Sequence, residues 1–297
     1  MVSISNPSLN EAARPYDRTL IETQQLNLIY GTQQILRNIN LVIPRGQTLA
    51  IIGESGCGKT MLLKSIVNLI KPTSGKILYD GRDILSLSNL EMTKLRRKFG
   101  FVFQNAALFD SMTIGENVAF PLVQQGLDLS RNTEKMVLER LAEVGLPESV
   151  IPKRPSQLSG GMRKRVGLAR ALILEPEVIL YDEPTTGLDP IMSDVINELI
   201  LRTRQKYPVT SIVVTHDMRT AKKVADRIIM LYPFPRLAPD EGQIIYDGPP
   251  SGLEYLEDKR VRQFVEGEAG ERLMELRRWN DADLTPSHYP QDSLRQI

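Results

Sequence analysis

The chain has 297 residues, enough for one large α/β domain or two domains of about 150 residues each. Its 37 Lys and Arg stand against 36 Asp and Glu, and 41% hydrophobic with 25% charged residues is the composition of an ordinary globular protein. A dedicated nucleic-acid binder would carry a basic excess, and one cysteine with two histidines supports neither an intrachain disulfide nor a Cys-based zinc site.

The lone thiol fits a reducing compartment. No apolar run approaches the roughly 18 residues needed to span a bilayer, and the polar start lacks the apolar core of a signal peptide, so any membrane role is expected to be peripheral. Residues 1–18, rich in Ser, Asn, Pro and Ala, read as a flexible lead-in. Three runs of β-branched and Leu residues follow, Ile21 to Tyr30, Ile35 to Ile43 and Thr48 to Ile52, separated by Gly31 and by Pro44-Arg45-Gly46. They read as strands, the third fully buried. After Gly58, apolar residues from Leu62 to Ile70 recur at helical spacing until Lys71-Pro72. Lys76 to Tyr79 and Phe99 to Phe103 read as strands. Ile114 to Ala142 reads as helical, with turns at Pro121 and at Gly126 to Ser130, and a basic helix opens after Ser159-Gly160-Gly161. Strands at Val178 to Tyr181, Ser211 to Thr215, Arg227 to Leu231 and Gln243 to Tyr246 alternate with helices at Ile191 to Lys206 and Thr220 to Ala225. This pattern implies an α/β core carrying an inserted helical subdomain at about 105–170, with a charged helical extension over 249–297.

Gly53-Glu54-Ser55-Gly56-Cys57-Gly58-Lys59-Thr60 matches G-x-x-x-x-G-K-[ST] at every position, after a buried strand and before a helix. Glycines let successive backbone N–H groups turn inward around phosphate oxygens, and the helix presents its positive end to the same charge. Lys59 is placed to reach the β- and γ-phosphates of a nucleoside triphosphate, and the Thr60 hydroxyl to ligate Mg²⁺. Asp182-Glu183 ends the apolar run Val178 to Tyr181. Asp182 there can hold Mg²⁺ through water, and Glu183 can deprotonate an attacking water; the alternative is a strand end capped by two solvated acids. His216 ends the next strand, either touching the γ-phosphate or capping the strand by a backbone hydrogen bond. Gln104, after Phe99 to Phe103, is a neutral amide able to touch Mg²⁺ or water. Cys57 lies inside the loop beside Lys59. A helix N-terminus and an ammonium both favour a thiolate, so alkylation of the nucleotide-free protein is expected; the alternative is a small residue in a crowded turn.

With Leu158-Ser159-Gly160-Gly161-Met162 in the same chain, the sequence resembles the nucleotide-binding subunit of an ATP-binding cassette (ABC) transporter over about Thr19 to Gly248. The resemblance implies a P-loop NTPase core of the ABC ATPase type with an antiparallel β subdomain and an inserted helical subdomain. It further implies that Tyr30 stacks on adenine, Gly53 to Thr60 binds the phosphates of ATP with Mg²⁺, and Gln104 couples to a membrane partner. Ser159, Gly160 and Gly161 would seal the ATP of an opposite subunit, and Leu188-Asp189 would form the loop between the two sites. Two copies would then make two composite sites, so a homodimer is the expectation. Met162 departs from the Gln usual in the superfamily, which removes an amide but leaves the backbone donors.

Leu158 to Val166, Ala107 to Leu122 and Val261 to Gly267 resemble the ATPases of Mla and Mce lipid-transport systems. That branch implies phospholipid transport on the cytoplasmic face of the inner membrane, with an integral permease, an MCE-domain protein and a STAS-domain regulator as partners and no nucleic acid. An ATPase of an amino-acid-type importer is the alternative within the superfamily. A DNA-repair type would need a coiled coil between Thr60 and Leu158, where no heptads occur, and a translation type would need two cassettes. Pro233 to Pro239 departs from the short turn expected between the last two strands and reads as a stiff hairpin tip.

Overall fold

The structure is a computed structural model describing residues 18–126, 131–254 and 257–269. It divides into two compact units, Met1–Gly252 and Leu253–Ile297. In the first, strands β1 (Thr19–Tyr30), β2 (Gln33–Pro44), β4 (Ser74–Tyr79) and β5 (Arg82–Asp83) form an antiparallel sheet in the order β2-β1-β4-β5. A second sheet has the order β10-β9-β3-β8-β7-β6, from β3 (Thr48–Gly53), β6 (Phe99–Val102), β7 (Val178–Asp182), β8 (Thr210–Val214), β9 (Arg227–Leu231) and β10 (Ile244–Gly248). Its pairs are parallel except β9 with β10.

Helices cover the parallel sheet because its strands are apolar on both faces. In β7, Val178 and Leu180 join one core while Ile179 and Tyr181 join another, as the twofold side-chain alternation of a strand requires. The first core lies against the antiparallel sheet and α1 (Lys59–Ile66), through Leu36, Ile51, Leu62 and Ile229. The second takes α3 (Ile114–Val123), α4 (Arg131–Glu143), α5 (Gly160–Leu172) and α6 (Pro190–Lys206). The shorter α2 (Asn89–Arg96) and α7 (Met218–Val224) complete the unit. This is the α/β architecture with an antiparallel sheet and a helical subdomain that the resemblance implies.

Two boundaries differ from the sequence reading. The first helix stops at Ile66 rather than Ile70, because Asn68 adopts a left-handed conformation (φ 51°) that an Asn side chain tolerates. Pro121 makes no turn but lies inside α3. A capping box of Thr113 with Glu116 starts that helix, and burial of Ile114, Val118, Ala119 and Leu122 holds it together across the N–H that proline lacks. In the second unit, α8 (Lys259–Glu266) begins at an Asp258 cap and ends at Gly267, and Val261, Phe264 and Val265 share the spacing of one helical face. Much of the extension read as helical over 249–297, and the lead-in before Arg18, lie outside the described residues.

Candidate active site

Strand β3 is buried along its whole length between β8 and β9, and delivers the phosphate loop at its C-terminal end. Gly53 has φ 142°, and a Cβ there would lie 2.3 Å from Leu231 O, so no larger residue fits. Gly58, with φ 101°, precedes α1, whose start is capped by no side chain. The first N–H groups of that helix lack intrahelical partners and are ready donors to an anion. Lys59 Nζ donates to Gly53 O at 2.8 Å and Glu54 O at 2.9 Å, which keeps the ammonium across the loop.

Asp182, at the end of β7, accepts a 2.7 Å hydrogen bond on Oδ1 from Thr60 Oγ1. Burial pushes the Asp182 carboxyl up from its ordinary value, while the Thr60 bond pulls it back. The next residue, Glu183, turns out of the strand with a left-handed backbone (φ 50°). Three elements hold that conformation. Its N–H donates to Val214 O at 2.9 Å, its carbonyl accepts from Lys164 Nζ at 3.2 Å, and its Oε2 accepts from His216 Nδ1 at 2.8 Å and Thr186 Oγ1 at 2.9 Å. A left-handed glutamate costs on the order of 1–3 kcal/mol, so this anchoring over-determines where the carboxylate points.

A cleft of about 630 Å³ opens over these groups, lined by Tyr30, Ser55, Gly56, Gly58, Lys59, Thr60, Gln104, Glu183 and His216, with Ile35, Met61 and Ile70 as apolar wall. That volume suits a nucleotide-sized ligand. Tyr30 ends β1 with 66% of its surface exposed, presenting an open aromatic face. Glu54 and Asp182 stand beside the cleft rather than in its lining.

Cys57 corrects an expectation. Its side chain is 1% exposed and belongs to the core beneath the loop, with Sγ 2.9 Å from where a Cβ on Gly53 would stand. Burial pushes the thiol up, outweighing the opposing Lys59 charge, so no reactive thiolate faces the cleft.

Ser159, Gly160, Gly161 and Asp189 form a separate place on the chain and do not line the cleft. Ser159 caps α5 by accepting from Met162 N at 3.3 Å, and Asp189 caps α6 by accepting from Ile191 N and Met192 N. The two caps are neighbours: a Cβ on Gly161 would stand 2.8 Å from Met192 Cε and 3.9 Å from Leu188 Cδ2. Ser159, Gly160 and Asp189 are exposed.

Lys164 was not singled out in the sequence, where it sits in the basic run Arg163-Lys164-Arg165. In the structure it is 8% exposed, and burial, partly countered by Glu183, lowers its ammonium to about 8. The available signal was helical spacing, since Gly161, Lys164 and Leu168 share the inward face of α5.

Residues 36–186 match the ABC transporter family. The chain is 40% identical over 254 residues to the intermembrane phospholipid transport system ATP-binding protein MlaF of Haemophilus influenzae, covering 85% of this chain and 92% of that one. It is 38% identical over 247 residues, 83% of its length, to the probable ribonucleotide transport ATP-binding protein mkl of Mycobacterium tuberculosis, of which it spans 66%. A dimeric ATP-binding cassette in a post-hydrolysis state with ADP and Pi has a TM-score of 0.70 and 34% identity, covering 78% of this chain and 99% of that chain.

Proposed function

The chain belongs to the ABC transporter family, and we propose that it is the ATP-hydrolysing subunit of a bacterial phospholipid transporter, working at the cytoplasmic face of the inner membrane. The observation that carries the chemistry is the single cleft into which Lys59, Thr60, Gln104, Glu183 and His216 converge from four separate segments of the chain. The similarity to phospholipid-transport ATP-binding proteins supports the substrate class.

In this reading the N–H groups at the start of α1 and the Lys59 ammonium hold the β- and γ-phosphates of ATP, while Tyr30 stacks on the adenine. Among the described residues no group of three or more His, Cys, Asp or Glu could hold a metal ion. Mg²⁺ needs no such cage, because it takes one or two protein oxygens and completes its shell with water and phosphate. The oxygens of Thr60 and Asp182, 2.7 Å apart, with the Gln104 amide on the cleft wall, fit that demand. The bound ion would neutralise phosphate charge. Glu183 Oε orients a water and takes its proton, and His216, whose Nδ1–H is spent on Glu183, keeps that carboxylate aimed and turns its other edge toward the γ-phosphate.

Ser159, Gly160 and Gly161 of a second copy close over the γ-phosphate, with Asp189 in the loop between the sites. No helix among the described residues is long and apolar enough to cross a membrane. The similarity to transport ATP-binding proteins supports an integral permease as the partner that supplies the path. An MCE-domain protein and a STAS-domain regulator complete the proposed assembly.

The test is reconstitution of the chain with its co-purifying permease in vesicles carrying a fluorescent phospholipid. ATP-dependent movement of the lipid is the expected result. Movement of a small solute instead would place the system among amino-acid-type importers, and absence of ATP hydrolysis in the assembled complex would overturn the reading.

A further inference from the structure

The excursion between β9 and β10, residues 232–243, reads in the sequence as a stiff tip without a task. In the structure it folds back on the phosphate loop. Its short 3₁₀ turn, Phe234–Arg236, carries Arg236, whose Nη1 lies 3.0 Å from Glu54 Oε2. At its far end Gln243, 1% exposed, donates from Nε2 to Cys57 O at 3.0 Å and to Ile35 O at 2.9 Å. The excursion thus grips both ends of the loop, Glu54 just after β3 and Cys57 just before α1.

Strand β2 anchors it in turn. Arg37 N donates to Gln243 Oε1 at 2.9 Å, and Arg37 Nη2 donates to Ala238 O at 2.6 Å and Glu241 O at 2.5 Å. The same guanidinium lies 5.1 Å from the centre of the Phe234 ring. Pro233, Pro235 and Pro239 restrict the chain between these contacts, so little conformational freedom is left to lose when they form. Gln243 also satisfies carbonyls in a place that water does not reach, where an unpaired acceptor is costly.

We infer that residues 233–243 form a strut that positions the phosphate loop, with Arg236 as a positioning residue acting through Glu54 on nucleotide affinity. The link is short. Glu54 O accepts from Lys59 Nζ at 2.9 Å, so the residue gripped by Arg236 is one that holds the phosphate-binding ammonium. Loss of the Arg236 contact loosens the loop before ATP arrives and leaves Glu183 and His216 untouched, so affinity falls while turnover at saturation is kept.

This inference rests on the reading of the cleft as an ATP site, and the experiment separates the two. Kd for Mg²⁺ and ATP, KM, kcat and thermal midpoint are measured for wild type, Arg236→Gln, Glu54→Gln, the double variant and Arg236→Lys. Arg236→Gln is expected to raise Kd and KM about three- to fivefold, the scale of a half-exposed ion pair, with kcat within about twofold and the midpoint unchanged. In the Glu54→Gln background the same change is expected to add clearly less, and Arg236→Lys to recover much of the affinity. Unchanged Kd in Arg236→Gln, or an undiminished increment in the Glu54→Gln background, overturns the strut alone. Wild type that binds no ATP overturns the ATP-site reading and the strut with it.

Discussion

The phosphate loop and the turn at Ser159 are both backbone donor sites at the start of a helix, yet one chain finishes them to different degrees. At the loop, Gly58 leaves α1 without a side-chain cap, Lys59 is held by two loop carbonyls, Thr60 by Asp182 and His216 by Glu183, all around one cleft. At the turn, Ser159 spends its hydroxyl on its own helix through one 3.3 Å bond, and Ser159 and Gly160 stand exposed, away from the cleft. The first region is preassembled for charge; the second is presented outward. That asymmetry suits the proposed reaction shared between two copies, in which a donor set presented outward is left for a partner's site.

The comparison breaks most sharply at Glu183. Glu183→Gln is expected to lower turnover by about 10²–10⁴-fold, since an amide holds water without accepting its proton, while ATP binding through Lys59 and Thr60 persists. Steady-state hydrolysis beside equilibrium nucleotide binding checks this, and near-wild-type turnover would remove Glu183 as the base.

Mixing tests the outward region directly. Ser159→Arg is expected to lose about a hundredfold in hydrolysis, the scale of removing a donor to a developing anion, with binding to the separate chain intact. Combined with Lys59→Ala, itself inactive, it is expected to recover up to roughly a quarter of the wild-type rate, because half of random dimers retain one intact composite site of two. No recovery on mixing would mean that each chain uses its own Ser159.

Lys164 joins the two regions, since it sits on the helix that Ser159 caps and donates to Glu183 O. Lys164→Met is expected to lower kcat about tenfold by releasing the Glu183 backbone. It also has a pH signature. The folded ammonium titrates at about 8, below its ordinary 10.5, so between those values the unfolded chain binds more protons and wild-type stability rises with pH. Thermal midpoints across that window should flatten in Lys164→Met; a tenfold kcat loss without flattening would separate the contact from the charge.

The smallest effect is expected at Cys57. N-ethylmaleimide should leave hydrolysis by the folded protein unchanged and modify one thiol after denaturation, because the side chain is 1% exposed in the core. Inhibition of wild type that Cys57→Ala escapes would show that the loop opens to the reagent.

How much of this was legible follows from how far apart the cooperating atoms lie. Gly53 to Thr60 was readable because phosphate binding uses consecutive backbone groups, and the strand before and helix after are encoded by adjacent apolar patterns. Asp182, Glu183 and His216 were readable as polar residues at the ends of apolar strands, since parallel strands deliver their C-terminal ends to one edge. The turn expected at Pro121 failed for the opposite reason: a local preference lost to burial on the far side of the subdomain.

The amino-acid sequence alone therefore determined the α/β class, and it singled out the Gly53 to Thr60 loop and the acidic pair proposed to serve it, all of which rest on contiguous residues or on period. Tertiary structure alone decided that Cys57 points into the core, that Lys164 out of three basic neighbours reaches Glu183, and that the excursion at 233–243 grips the loop. Arg236 and Glu54 are 182 residues apart and meet only because β9 lies beside β3 in the sheet, so strand order, which no local pattern encodes, sets that contact.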